Sequence, residues 1–192
     1  MKTLSRICSF FAWLLFHHEW CEFRRKLISK HNFSMGIKDI PPVLAQQLLI
    51  SGEDHRFFRH GGVDPIVRVV SGRFERTFKR KIREIAIATL LTSVIPKEQL
   101  PALYLQIGYY GWHMNGFGEA CRRLGINIDS LTPVETAQLV ARLKYPQPRF
   151  TPPGRWNQIN IRGQHLLRLY IEHKSGRTYK DLINVMPIYE TI

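Results

Sequence analysis

Residues 81–95, K-I-R-E-I-A-I-A-T-L-L-T-S-V-I, form a long and mostly apolar run that stops at Pro96. Such a run predicts a helix buried on most of its sides, and a helix of that kind needs other elements wrapped around it. The chain supplies them in helical form. Residues 43–50 are rich in apolar side chains and follow Pro41-Pro42, which suits a helix start. Leu100, Leu103, Tyr104 and Ile107 recur at helical spacing within residues 98–110, with Pro101 in the first turn. Thr132-Pro133-Val134-Glu135 reads as an N-cap, a proline at the first helical position and a glutamate closing a capping box. Ala137, Leu139, Val140, Ala141 and Leu143 would be the buried face behind it. Residues 147–156, with Pro148, Pro152, Pro153 and Gly154, read as an extended loop, residues 159–173 as an amphipathic helix and residues 179–185 as a short closing helix. No segment alternates as a convincing strand would, so the expected fold is mainly α.

With 192 residues and 44% hydrophobic content the chain can bury a proper core and is not expected to be disordered. Its 28 basic and 15 acidic residues leave a net charge of +13. That balance calls for an anionic partner: nucleic acid, an acidic membrane surface or a phosphorylated substrate. Cys8, Cys21 and Cys121 form no framework and no zinc spacing, and are read as free thiols. His17-His18-Glu19 with Cys21 matches no metal-ligand spacing.

Residues 7–16, I-C-S-F-F-A-W-L-L-F, are too few to span a bilayer, which takes about 20. No small-x-small cleavage site follows them, and Arg24-Arg25-Lys26 lies behind. Two readings stand: a helix lying in a membrane interface, or a terminal helix packed on the core. The chain divides into residues 1–36, the apolar and basic segment; residues 37–173, the main helical domain; and residues 174–192, a C-terminal tail.

Three stretches could carry chemistry. E-D-H-R-F-F-R-H-G-G-V-D-P, residues 53–65, packs carboxylates, arginines and aromatics against a Gly-Gly turn. A carboxylate there, shielded by Phe57 and Phe58, could act as a general acid or base; salt bridges to Arg56 or Arg59 are the plainer reading. F-E-R-T-F-K-R-K-I-R-E, residues 74–84, could hold a pyrophosphate through Arg80 and Lys81. It could also stack bases on Phe74 and Phe78, or be a solvated basic face. Gly108-Tyr109-Tyr110-Gly111, with Asn115-Gly116-Phe117-Gly118 after it, suggests a tight turn lining a substrate.

Taken in order, these stretches resemble the peptidoglycan glycosyltransferase family. Residues 53–65 are similar to its first motif, R-K-I-R-E at 80–84 to its Arg-Lys-x-x-Glu motif, and P-K-E-Q-L-P-A-L-Y-L-Q-I-G-Y-Y-G at 96–111 to the following helix, with Gln106 where the family usually has Asn. L-T-P-V-E-T-A-Q-L-V-A-R-L-K-Y-P at 131–146 resembles the Glu-Ala-Ala-x-Leu-Ala-Gly-Leu segment. The likeness runs from about residue 43 to about residue 171. It departs between Pro65 and Lys79, where the family's Gly-Gly-Ser-Thr-Ile-Thr-Gln-Gln motif is missing.

The resemblance implies a lysozyme-like helical domain with a reduced small lobe. It implies a glycosyltransferase acting on a lipid-pyrophosphate-linked disaccharide at the bacterial cytoplasmic membrane, peripheral or anchored. Glu53 would be the general base and Glu84 the second functional glutamate, contacting Mg2+ or Mn2+ on the pyrophosphate side. Arg80 and Lys81 would offset leaving-group charge, Asp54, His60 and Asp64 would brace the cleft, and Phe57 would exclude water. Expected partners are the lipid-linked precursor, an anionic membrane surface and cell-wall synthesis proteins. Alternatives are a catalytically impaired descendant that binds precursor or glycan and modulates a partner, and a lysozyme-like glycan-cleaving enzyme. A nucleic-acid-binding module rests on charge and Phe–Arg interleaving alone, and nucleic acid is not the expected partner.

Overall fold

The structure, a computed structural model, describes residues 2–35, 40–53, 66, 67, 70 and 77–175. Prolines and caps set the helix boundaries. α1 spans Lys2–Met35 and is interrupted by non-helical backbone at Phe16 (φ −127°, ψ 24°). α2 spans Val43–Glu53, its first turn closed by Ala45 N–H donating to the Pro42 carbonyl at 3.0 Å. α3 spans Phe78–Val94 and starts earlier than the apolar pattern suggested, because Thr77 caps it, its hydroxyl accepting from Arg80 N–H at 3.3 Å. It ends where Ile95, the residue before Pro96, turns extended.

α4 (Leu100–Ile107) follows a 3₁₀ turn and carries Pro101 in its first turn. α5 spans Phe117–Leu124 and stops at Gly125 in the left-handed conformation (φ 68°). α6 spans Pro133–Lys144 behind the predicted capping box, which forms in full between Thr132 and Glu135. α7 spans Pro153–Ser175, so its first turns lie in what the prolines suggested was loop. The expected helix at 179–185 lies outside the described residues.

The mainly α expectation is borne out, with one small addition. β1 (Tyr109–Gly111) and β2 (Met114–Asn115) form an antiparallel hairpin between α4 and α5. Gly111, at φ 142°, is required there. A Cβ on it would stand 2.1 Å from the Gln147 carbonyl oxygen, because the loop after α6 runs alongside the strand. Gln147 N–H donates to the Tyr110 carbonyl at 2.9 Å and Trp112 N–H to the Gln147 carbonyl at 2.8 Å. The turn thus binds the loop, and Tyr110 is fully buried with its hydroxyl donating to the Leu105 carbonyl.

Two hydrophobic cores share α4. In one, Trp20, Phe23 and Leu27 of α1 meet Ile87, Leu90 and Leu91 of α3 and Leu100 and Leu103 of α4. In the other, Leu48 of α2, Leu105 of α4, Tyr110, Phe117, Leu139 of α6 and Ile159 and Leu166 of α7 come together. Tyr104 packs against both.

The apolar N-terminal segment divides at the Phe16 break. Beyond it α1 docks on the core; before it Phe10, Phe11, Trp13, Leu14 and Leu15 are exposed. α3 is less enclosed than its composition suggested: Phe78, Ile82 and Ile85 are exposed in a stripe opposite the core face, and Val94 is exposed at the helix's last residue. Among the described residues no helix is long and apolar enough to cross a membrane.

Candidate active site

Glu53 is the last residue of α2, and α7 fixes it there. α2 can approach closely because Gly52 has no side chain; a Cβ would meet Leu166 Cδ2 at 2.0 Å. Across this contact Arg162 Nη2 donates to the Gly52 carbonyl at 2.8 Å and to Glu53 Oε1 at 2.9 Å. The first bond satisfies a carbonyl that the helix end leaves open, and a cation suits the negative end of the helix dipole. Arg162 is nearly enclosed (side chain 11% exposed) while the Glu53 side chain is 51% exposed. Glu53 Oε2 takes no hydrogen bond from a described residue. The arrangement is a surface carboxylate fixed through one oxygen, with the other able to accept a proton.

Glu84 is the opposite kind of carboxylate. It sits one turn inside α3 with its side chain 5% exposed, and Arg80 Nη1 donates to its Oε1 at 2.5 Å. Lys81 Nζ lies 3.9 Å from Oε2 and remains 44% exposed. Lys79, Arg80 and Lys81 crowd the first turn of a helix with no acidic residue there, where the dipole disfavours cations and favours an anion. The structure therefore brings three predicted residues, Arg80, Lys81 and Glu84, into one cluster. Glu53 stands in the other core's elements. Asp54, Phe57, His60 and Asp64 lie outside the described residues, as does the Phe58 expected to share the shielding of Glu53.

A divalent cation at Glu84 would have to join a carboxylate already flanked by two basic side chains. Among the described residues no group of three or more His, Cys, Asp or Glu could hold a metal. Cys21, exposed, and Cys121, buried, are free thiols.

Arg162 escaped the sequence reading. The available signal was its place on α7: it falls between Ile159 and Leu166 on the stripe that faces the core, where a cation needs a partner. Arg142 was also missed. It is buried, donates to Gln147 Oε1 at 2.8 Å and the Gln138 carbonyl at 2.7 Å, and burial lowers its pKa to about 10. It latches the loop after α6 from beneath.

A family model described as Transglycosylase matches residues 66–169, more than half of the chain. The chain belongs to the transglycosylase family. This bears out the resemblance read from the motifs, although Glu53 falls before the matched residues. Penicillin-binding protein 1A of Escherichia coli K12 is 29% identical over 144 residues, covering 61% of this chain and 17% of that protein. Penicillin-binding protein 1A of Neisseria gonorrhoeae is 28% identical over 165 residues, 72% of this chain and 20% of its own length. That of Neisseria flavescens is 26% identical over 163 residues, with 71% and 20% covered. The chain spans about a fifth of the length of these relatives.

Proposed function

We propose that this member of the family is a peptidoglycan-type glycosyltransferase that uses Glu53 as its base on a lipid-pyrophosphate-linked disaccharide. The observation that carries the reading is the anchoring of Glu53 by Arg162 at the end of α2. It orients one carboxylate oxygen and leaves the other to act. In the reaction, Glu53 removes the proton from an acceptor sugar hydroxyl. The oxygen forms a bond to the donor's anomeric carbon, the bond from that carbon to the lipid pyrophosphate breaks with inversion, and the pyrophosphate leaves with the electron pair.

The developing charge calls for a cationic, helix-terminal site, which the first turn of α3 supplies. Arg80 is held by Glu84, so Glu84 acts by positioning it, while Lys81 keeps an exposed ammonium for the phosphates. The exposed arm of α1, with Phe10, Phe11, Trp13, Leu14 and Leu15, supports interfacial attachment beside the basic Arg24-Arg25-Lys26. Such attachment would place the chain where a lipid-linked donor is met, at a bacterial cytoplasmic membrane and beside other cell-wall synthesis proteins.

A second reading, a precursor-binding protein that modulates a partner, is favoured by the absent Gly-Gly-Ser-Thr-Ile-Thr-Gln-Gln motif. The deciding test incubates the purified chain and Glu53→Gln with the lipid-linked disaccharide-peptide precursor in detergent and resolves products by size. Chains from the wild type and none from the variant are expected. Precursor binding by both proteins without chains from either would leave the second reading standing.

A further inference from the structure

One cluster remains that the Glu53 centre does not use. Trp112, at the tip of the hairpin, has two guanidinium groups on one ring: Arg123 at 4.1 Å and Arg149 at 4.9 Å from its centroid. Arg149 also lies 5.3 Å from the ring of Phe150, which is 81% exposed, and Arg155 lies 5.8 Å from that of Tyr145. Among the described residues none of Arg123, Arg149 and Arg155 is ion-paired with a carboxylate. Two cations sharing one ring repel each other, and an anion between them removes that repulsion.

The surface is also rigid. Trp112 and Gln147 are joined by a backbone hydrogen bond, and Arg142 holds Gln147 from below. A guanidinium stacked on an aromatic face keeps its donor edge outward, matched to a carboxylate in bidentate fashion.

We propose that Trp112, Arg123, Arg149 and Phe150 form a holding surface for a carboxylate-bearing saccharide chain, separate from the Glu53 centre. Carboxylates meet the guanidinium edges, and the apolar face of a sugar ring lies on the exposed Phe150. The identity of the chain rests on the transferase reading; the surface itself does not. A membrane fits less well, because these residues belong to the hairpin, α5 and the loop before α7, whereas the exposed apolar arm is on α1. Single-stranded nucleic acid asks for cations spread along a groove that tracks successive phosphates, and here they converge on one indole.

The test measures binding of soluble, uncrosslinked peptidoglycan glycan strands that carry peptide stems to the whole chain. It compares wild type, Arg149→Gln, Arg149→Glu and Arg123→Glu/Arg149→Glu. Arg149→Gln and Arg149→Glu should each bind about ten-fold more weakly, the loss of one charged hydrogen-bonding partner. The double variant should show no binding, and strands with amidated carboxyls should bind weakly to the wild type. Equal binding by the double variant and wild type would overturn the proposal, as would tighter binding of a single-stranded DNA oligomer than of the strands. Strand binding without chain formation by the wild type would leave this surface standing and remove the transferase reading.

Discussion

Glu53 and Glu84 are both glutamates on helices, each held by an arginine, yet they are built for different work. The partner of Glu84 lies one turn away on the same helix and the pair is buried. Arg162, the partner of Glu53, is 109 residues away and only the arginine is enclosed. A buried pair must keep both members, since removing one strands a charge in low dielectric. A carboxylate at the surface contributes little to stability through its ion pair and is available to take a proton. Changing Glu53 should therefore cost activity with little stability, whereas changing Glu84 should cost both.

Glu53→Gln gives the largest expected effect. Under the proposed role of Glu53 as base, its loss should lower chain formation about 10³-fold, equivalent to about 4 kcal/mol of barrier. Stability should fall by less than at Glu84, because Arg162 keeps its bond to the Gly52 carbonyl and the glutamine keeps an oxygen for it to donate to. Chain formation near the wild-type rate would break the contrast outright. Glu84→Ala should lower unfolding free energy by about 3 kcal/mol because Arg80 is left inside without its carboxylate, and chain formation should fall with it, since Arg80 loses the group that positions it. Replacing both members, as Arg80→Met/Glu84→Leu, should recover most of that loss. A double variant as unstable as Glu84→Ala would mean that the pair itself, and not the stranded charge, holds α3.

Gly52→Ala probes what sets the Glu53 side of the comparison. The new methyl would collide with Leu166 Cδ2, and overpacking of this kind costs about 2 kcal/mol. Separation of α2 from α7 should also draw Glu53 off Arg162, so activity and stability fall together. Gly52→Ala/Leu166→Ala should regain part of the activity by making room. No regain in the double variant would sever Glu53 placement from this helix contact.

The same contrast governs what was legible in the sequence. Glu84, Arg80 and Lys81 could be grouped from spacing because three and four residues along a helix are neighbours in space. The Thr132 capping box, the break at Pro96 and the place of Pro101 in a first turn were equally local and were found. Arg162 could not be paired with Glu53, since no local rule joins residues on α2 and α7. The hairpin was missed because two short strands show no alternation, and its geometry depends on Gly111 meeting a loop 36 positions later in the chain. Thr77 set the start of α3 ahead of the apolar pattern, which marks the buried face and not the cap. The apolar N-terminal segment left two readings open because α1 serves both: Phe10, Phe11, Trp13, Leu14 and Leu15 before the break at Phe16 are exposed, while Trp20, Phe23 and Leu27 after it dock on the core.

Glu135 completes the comparison, since its partner is local like that of Glu84 and its carboxylate is open to solvent. Its Oε2 accepts from the Thr132 hydroxyl at 2.6 Å and from Thr132 N–H at 2.9 Å. The side-chain bond first, and the backbone bond with it, hold the carboxyl below its usual pKa. A carboxyl lowered on folding binds its proton more readily in the unfolded chain, so unfolding takes up protons and acid weakens the fold. Its stabilising effect is complete above the unfolded pKa and is lost as pH falls through the folded value. Thr132→Ala should remove the cap at neutral pH, at about 1 kcal/mol. Urea unfolding of wild type and Glu135→Gln, compared from pH 7 into the acid range, should show a difference that shrinks as the carboxyl protonates. A difference that stays constant with pH would mean that the shape of the glutamate, and not its charge, closes the box.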